Sequence, residues 1–170
     1  MMALSCGQAG CIGSSKFSPM IDLAFLPRHV VLLCNSYIKL TGRHLLPEGL
    51  APAQRVMALD GLSCAVVSHG LEPDPIFNYA NAKALQLFEM DIESFTRLPS
   101  RFSAEPMERV ARELLLARVS SDGYVDDYSG IRVSATGKRF MVRNATVWNL
   151  VDETGEPHGQ AALLKEWDYL

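Results

Sequence analysis

The sequence predicts an α+β fold in which five antiparallel strands form one sheet, with short helices on one face and a flanking helix at the N-terminus. Two short apolar runs, at residues 62–68 and 76–79, have the length of strands. Three strand-like segments close the chain at 124–134, 139–151 and 158–164, and tight turns join them into a meander. Helix signals fill the space between the two groups. This order fits an antiparallel sheet that is covered by helices.

The composition is that of a globular domain. The chain has 170 residues, of which 48% are hydrophobic and 21% charged, and this excludes a disordered chain, a collagen and a coiled coil. The net charge of −3 argues against direct binding of nucleic acid, which usually requires a basic surface. No apolar run approaches the ~20 residues of a membrane span, so no membrane association is expected.

The first 61 residues divide into a tail and a helical flank. Residues 1–20 have no periodicity and are expected to form a flexible tail, or a plastid transit segment as the alternative. In the flank, residues 21–61, Pro27 opens a helix that Gly42 ends, and a shorter helix covers 52–60. The apolar surface of the longer helix is broad enough to contact both the sheet and a second copy of the chain. A homodimer with this helix at the interface is therefore predicted.

The four cysteines show neither a metal-binding nor a disulfide pattern. Cys34 and Cys64 lie in apolar runs and are predicted to be buried thiols, whereas Cys6 and Cys11 lie in the tail. No pair has the C-x-x-C spacing of a zinc or redox motif, so no metal site is predicted. Free thiols are typical of a reducing compartment, here the cytoplasm.

Helix-capping signals define the middle of the chain. Asn81 is predicted to cap a helix over 82–88, and Asp91 a second short helix. Pro106 begins the longest clear helix, which runs to about Ser120. Its periodicity predicts a buried face of Met107, Val110, Leu114 and Leu115, and a solvated face of Glu108, Arg109, Arg112, Glu113 and Arg118.

Several motifs resemble a known family. The run Phe77-Asn78-Tyr79-Ala80-Asn81 and the helix after it are similar to the segment that leads into the first helix of a PAS domain. More specifically, the chain resembles the MEKHLA-domain family at Ser68-His69-Gly70 and at residues 74–81, 98–101, 103–106, 128–132, 144–150 and 159–162. These stretches span roughly residues 28–168, and residues 62–170 are identified as the PAS-like MEKHLA domain.

The resemblance implies a sensory or dimerisation module and does not imply a reaction. The family includes small stand-alone proteins of bacteria and photosynthetic organisms, and the C-terminal module of plant homeodomain leucine-zipper transcription factors. This sequence has neither a homeodomain nor zipper heptads, so direct DNA binding is not implied. PAS ligands usually lie between the sheet and the short helices.

A ligand cavity is therefore expected on the inner face of the sheet. Alternate residues from Phe140 to Leu150 include bulky apolar side chains, so this face of the strand is predicted to point inward. Asn144 and Thr146 share that face, and a buried amide or hydroxyl without a partner costs ~1–3 kcal/mol. The protein itself, a water or a ligand must satisfy them. The candidate ligand-binding residues are Phe77, Tyr79, Phe88, Tyr128, Arg132, Asn144, Thr146, Trp148 and Gln160; the alternative is a filled core.

Arginines offer a second way to bind a ligand. The side chains of Arg101, Arg132, Arg139 and Arg143 are predicted to form ion pairs with Asp126, Asp127 or Glu105. The alternative is an anionic ligand held by an arginine fork, because guanidinium geometry suits carboxylate and phosphate.

A cofactor and an active site receive less support. Light-sensing PAS domains react with flavin through a cysteine in an Asn-Cys-Arg-Phe motif, and the similar segment here, residues 99–102, reads Pro-Ser-Arg-Phe. Serine is far less nucleophilic than a thiolate, so a cysteinyl adduct is not expected. Non-covalent flavin, or haem bound through His69 or His158, stays open. No nucleophile elbow, H-E-x-x-H motif or phosphate loop is present, so no catalytic residue is predicted.

The predicted function is a non-catalytic sensory or regulatory module that binds a small ligand or a regulatory protein. A purely structural dimerisation domain with a filled core is one alternative. A flavin- or haem-based redox or light sensor is the other.

Overall fold

The computed structural model describes residues 24–170, and there one antiparallel sheet lies between two layers of helices. The strands are β1 (Ala65–His69), β2 (Phe77–Ala80), β3 (Tyr124–Val133), β4 (Arg139–Val151), β5 (Pro157–Leu164) and β6 (Glu166–Tyr169). The helices are α1 (Phe25–Thr41), α2 (Pro52–Asp60), α3 (Ala82–Phe88), α4 (Ile92–Phe95) and α5 (Arg109–Asp122), with 3₁₀ turns at Ser100–Ser103 and Pro106–Glu108. The tail predicted for residues 1–20 lies outside the described part.

The strand order β2-β1-β5-β4-β3 confirms the predicted antiparallel sheet. The sixth strand, β6, was not predicted, and it extends the lane of β5 rather than adding a new one. Thr146–Val151 of β4 pair with β5, whereas Phe140–Arg143 pair with β6. The sheet is therefore five strands wide.

Helices α1 and α2 cover the outer face of the sheet. Gly42 ends α1 because its left-handed φ of 70° lets its N–H reach the carbonyl of Ile38. Leu33 and Tyr37 are buried against Trp148 and Leu150 of β4. Much of the apolar surface of α1 is thus used by the sheet of its own chain.

Helices α3 and α4 begin on the inner face at the two predicted caps. The Oδ1 atom of Asn81 accepts hydrogen bonds from the backbone N–H groups of Ala84 and Val66, and its amide donates to the carbonyls of Leu59 and Cys64. Asp91 caps α4 in the same way, through the N–H of Ser94. An apolar cluster that includes Phe77, Phe88, Phe95 and Phe140 fills the space beneath them.

The predicted orientation of the longest helix is wrong at most of its positions, although Leu115 packs inward as predicted. Met107, Val110 and Leu114 are 89%, 65% and 68% exposed, whereas Arg112 is buried. Polar contacts from distant strands orient α5 instead: the amide of Asn149 donates to the carbonyl of Val119 at 2.9 Å, and the amide of Gln160 donates to that of Leu116 at 3.1 Å. The helix therefore turns an apolar stripe to solvent.

Candidate functional site

A cavity of about 60 Å³ lies between α5 and the inner face of the sheet, and is termed the α5 cavity below. Its apolar wall includes Val67, Phe77, Phe88, Leu115, Leu116, Val147, Ala162 and Leu164, and its polar wall His69, Ser100, Ser103, Arg112, Tyr128, Arg132 and Gln160. An open groove of about 350 Å³ adjoins the cavity and shares His69, Leu116 and Gln160 with it. The groove gives the cavity a route to solvent.

The structure brings five of the nine predicted site residues together. Phe77, Phe88, Tyr128, Arg132 and Gln160 line the α5 cavity. Tyr79, Asn144, Thr146 and Trp148 do not, and the prediction that they share this inner face is wrong. Two irregularities in strand pairing account for the difference.

The first irregularity is a bulge at Asn144 in β4. Tyr128 pairs with Ala145 but Gly130 pairs with Val142, so β4 carries one extra residue there. Asn144 has a left-handed φ of 49° and is exposed. Because a one-residue insertion exchanges the two faces of a strand, the residues after the bulge point opposite to the prediction.

Thr146 and Trp148 follow this bulge, and both are buried. Trp148 packs beneath α1, where its ring lies 5.0 Å from that of Tyr37. Neither side chain therefore reaches the α5 cavity. Ala145 and Val147 take the inward positions instead.

The second irregularity lies in β2. His69 pairs with Phe77 and Ser68 with Tyr79, so Asn78 is the extra residue. Phe77 consequently faces the α5 cavity, while Tyr79 packs in the outer layer, 5.8 Å from the ring of His29. Burial raises the pKa of Tyr79 and keeps its hydroxyl neutral.

Arg112, which the sequence analysis placed on the solvated face of α5, lines the cavity instead. It is only 6% exposed, and its Nη2 donates to the hydroxyl of Ser100. No carboxylate in residues 24–170 lies within 4 Å of its guanidinium nitrogens. Burial, and next the positive charge of Arg132, lower the pKa of Arg112 to about 10. The charge is therefore buried at a cost and without a carboxylate in direct contact, and the charges of Asp74 and Glu113 favour it only from a greater distance.

Arg132 is half-buried and brings a second positive charge to the same wall. Its guanidinium carbon lies 5.1 Å from the ring centroid of Tyr128, and its Nη1 donates to the carbonyl of Ile131 at 3.0 Å. The other three arginines do form ion pairs, but only Arg139 has a predicted partner, Glu105, whereas Arg101 pairs with Asp74 and Arg143 with Asp168. Within the described chain, Arg132 has no such ion pair.

His69 contributes an unpartnered nitrogen. The side chain is 8% exposed, and Nδ1 lies 2.9 Å from the carbonyl oxygen of Gly70. A carbonyl only accepts, so the ring proton lies on Nδ1 and the neutral ring presents a lone pair at Nε2. This Nε2 is buried and has no hydrogen-bond partner in the described part of the chain. Burial lowers the pKa of His69, which keeps the ring neutral.

The side chains of Gln160, Ser100 and Ser103 are bonded within the protein. The amide of Gln160 donates to the carbonyl of Leu116 at 3.1 Å and so ties α5 to β5. The hydroxyls of Ser100 and Ser103 donate to the carbonyls of Pro75 and Ser100. Arg112, Arg132 and His69 are therefore the wall residues that offer a ligand either a positive charge without a carboxylate in contact or an unpartnered buried nitrogen.

This arrangement does not fit a flavin or a haem. A cavity of about 60 Å³ is far smaller than the roughly 300–1,000 Å³ of pockets that hold such ligands. Ser100 occupies the position at which the Asn-Cys-Arg-Phe motif of light-sensing PAS domains has its cysteine. Cys34 and Cys64 pack in the outer layer. His158 is exposed and pairs with Asp152 at 3.0 Å.

Comparison with known proteins gives one family. The family model described as MEKHLA domain matches residues 27–169. Curated relatives include the homeobox-leucine zipper protein ATHB-9 of Arabidopsis thaliana, 27% identical over 56% of this chain and 11% of its own length. Another is the homeobox-leucine zipper protein HOX10 of Oryza sativa subsp. indica, 25% identical over 99% of this chain and 20% of its own length. The chain thus spans a fifth or less of the length of these relatives.

Solved structures with the same fold are PAS and light-oxygen-voltage domains. A PAS domain from Colwellia psychrerythraea has a TM-score of 0.58 at 15% identity, over 67% of this chain and 94% of that one. The light-state dimer of the fungal blue-light photoreceptor Vivid has a TM-score of 0.54 at 16% identity, over 90% of this chain and 100% of that one. At these identities the likeness concerns the fold.

Within residues 24–170, none of the helices has the length and apolarity needed to cross a membrane.

Proposed function

The chain belongs to the MEKHLA-domain family, and from this premise we propose that it is a non-catalytic sensory module that binds a small molecule in the α5 cavity. One observation carries the proposal. The buried side chains of Arg112 and His69 and the half-buried side chain of Arg132 converge on one cavity, where Nε2 of His69 has no partner and neither guanidinium has a carboxylate within 4 Å among residues 24–170. Burying polar groups in this state is costly unless something binds them.

The contacts of α5 provide a means of signalling. Gln160 of β5 and Asn149 of β4 bind the carbonyls of Leu116 and Val119, so the position of α5 depends on the inner face of the sheet. A ligand at Arg112 would contact the same helix. Binding of the ligand would add contacts to α5 and so change the position of this helix. The outer face of α5 is exposed and would report that change to a partner.

The arrangement of hydroxyls supports a role without catalysis. A serine nucleophile needs a base within hydrogen-bond reach of its hydroxyl. The hydroxyl of Ser100 instead accepts from the cation Arg112 and donates to the carbonyl of Pro75. The unpartnered Nε2 of His69 activates neither serine in this geometry.

Native mass spectrometry of freshly purified protein, combined with a cavity-filling variant, tests the proposal. The wild-type chain is expected to retain, or to gain from a metabolite extract, a mass above that of the bare chain. Ala162→Leu adds three carbon atoms in the cavity and should abolish that mass, whereas Ala111→Leu on the exposed side of α5 should not. Bare-chain mass in every sample would contradict ligand binding.

We also propose a homodimer, and here the exposed stripe of α5 replaces α1 as the candidate interface. Met107, Val110 and Leu114 lie on successive turns and are mostly exposed. Exposed apolar patches of this kind mark interaction sites. In a symmetric dimer the stripes of the two copies would pack against each other and exclude water from both. Size-exclusion chromatography with light scattering should give a dimer that Leu114→Glu dissociates and Met57→Glu, an exposed substitution on α2, does not. A monomer at high micromolar concentration would refute this second proposal.

A further inference from the structure

We infer that the α5 cavity binds a small oxoanion that carries one hydroxyl group, held by Arg112 and Arg132 and donating its hydroxyl hydrogen to Nε2 of His69. This inference rests on the proposed function, because it names the class of ligand for the same cavity. The matching chemistry is that of a short hydroxycarboxylate or of hydrogen phosphate.

The charge of the wall specifies an anion. Arg112 and Arg132 reach the cavity from α5 and β3, and neither has a carboxylate within 4 Å among residues 24–170. Asp74, the acid on the nearby loop, is bonded to Arg101 at 3.0 Å through both of its oxygens. Two guanidinium groups on one small cavity repel each other, and an anion between them relieves that repulsion. Guanidinium forks bind carboxylate and phosphate oxygens in this way.

The histidine specifies the hydroxyl. Nδ1 of His69 is committed to the carbonyl of Gly70, so Nε2 of the neutral ring accepts one hydrogen bond. No described residue supplies that donor. An anion that offers only oxygen acceptors leaves Nε2 unsatisfied, whereas a hydroxyl group on the ligand donates to it.

The size of the cavity limits the ligand. About 60 Å³ accommodates only a few non-hydrogen atoms, and the apolar wall formed by Phe77, Phe88 and Leu164 favours a compact carbon skeleton. The adjoining groove of about 350 Å³, which shares His69 and Gln160, provides entry. A nucleotide or a flavin is too large for the cavity itself.

Isothermal titration of the full chain with glycolate, acetate, phosphate and the neutral analogue glycolamide at pH 7 tests the inference. Glycolate or phosphate should saturate one site, with acetate weaker and glycolamide not bound. Arg112→Met should weaken oxoanion binding about tenfold or more, since a charged hydrogen bond is lost. Arg118→Met, an arginine on the exposed side of the same helix, should have no effect. Arg132→Met gives the same test if Arg112→Met fails to fold, as judged by circular dichroism.

Two results would overturn the inference, and they differ in what they imply for the proposed function. Glycolamide binding as tightly as glycolate, or oxoanion binding that neither arginine variant weakens, would remove the anion assignment. If Ala162→Leu still abolished that binding, the cavity would keep its sensory role. Saturation by none of the four probes, together with bare-chain mass from the cell, would overturn both.

Discussion

Replacing Arg112 by methionine is expected to lower the free energy of unfolding by no more than about 1.5 kcal/mol. Burial and the charge of Arg132 lower the pKa of Arg112 from its ordinary value to about 10. A difference of ~2.5 pKa units corresponds to roughly 3 kcal/mol, and we take about half because solvent near the cavity screens the charge. Removing the charge returns this ~1.5 kcal/mol. It also removes the hydrogen bond to Ser100, at a cost of roughly 1.5–3 kcal/mol, and methionine retains much of the packing.

Urea unfolding at pH 7, followed by tryptophan fluorescence, measures this balance. Arg118→Met is the matched control: its side chain is 59% exposed and makes ion pairs longer than 3.6 Å, so the change should stay within ~0.5 kcal/mol. A loss of more than about 3 kcal/mol in Arg112→Met with an unchanged m-value would mean that the arginine stabilises the fold. The view that it is kept for a ligand would then fail.

Three further predictions concern the frame around the cavity. Asn81→Ala removes four hydrogen bonds between the Asn81 side chain and backbone groups and should cost about 4 kcal/mol in urea unfolding; a loss below ~1.5 kcal/mol would contradict this. Gly159→Ala should cost more than about 3 kcal/mol, because the new Cβ would lie 1.9 Å from the backbone oxygen of His69. Gly155→Ala, whose Cβ would meet no atom within 4 Å, should cost only ~1 kcal/mol. Equal losses in the two variants would refute the clash. Burial lowers the pKa of His29 from 6.5 to about 4, so the unfolded chain binds more protons than the folded chain between these values. The free energy of unfolding should therefore fall by about 2 kcal/mol from pH 7 to pH 5. His29→Gln should remove this part of the pH dependence, and an unchanged dependence would contradict the prediction.

Local signals predicted the frame of the molecule well. Gly42, Asn81 and Asp91 end or begin helices through contacts within a few residues, so residue type and position were enough to predict them. The strand segments likewise carry their own apolar pattern and turns. The expectation of a cavity came from the family resemblance. The alternation of side chains along a strand does not by itself predict a cavity.

The face on which each side chain lies was harder to predict. A bulge adds one residue and reverses the alternation, as at Asn144, whose type does tolerate the left-handed backbone it adopts. The position of Asn144 in an otherwise regular pattern was the signal available. For Arg112 there was no local signal. Arg112 is buried because it donates a hydrogen bond to Ser100 and because side chains from distant strands bind α5. The periodicity of the helix sequence gives no information about either contact.

The side-chain Nε–H resonances of Arg112 and Arg132, observed by ¹⁵N-edited NMR during titration with glycolate, test the central claim most directly. If the cavity is a receptor for a small oxoanion, both resonances shift together and saturate, while that of Arg118 stays in place. Shifts confined to exposed arginines, or no saturable shift at Arg112, would contradict it and leave the space beneath α5 as packing alone.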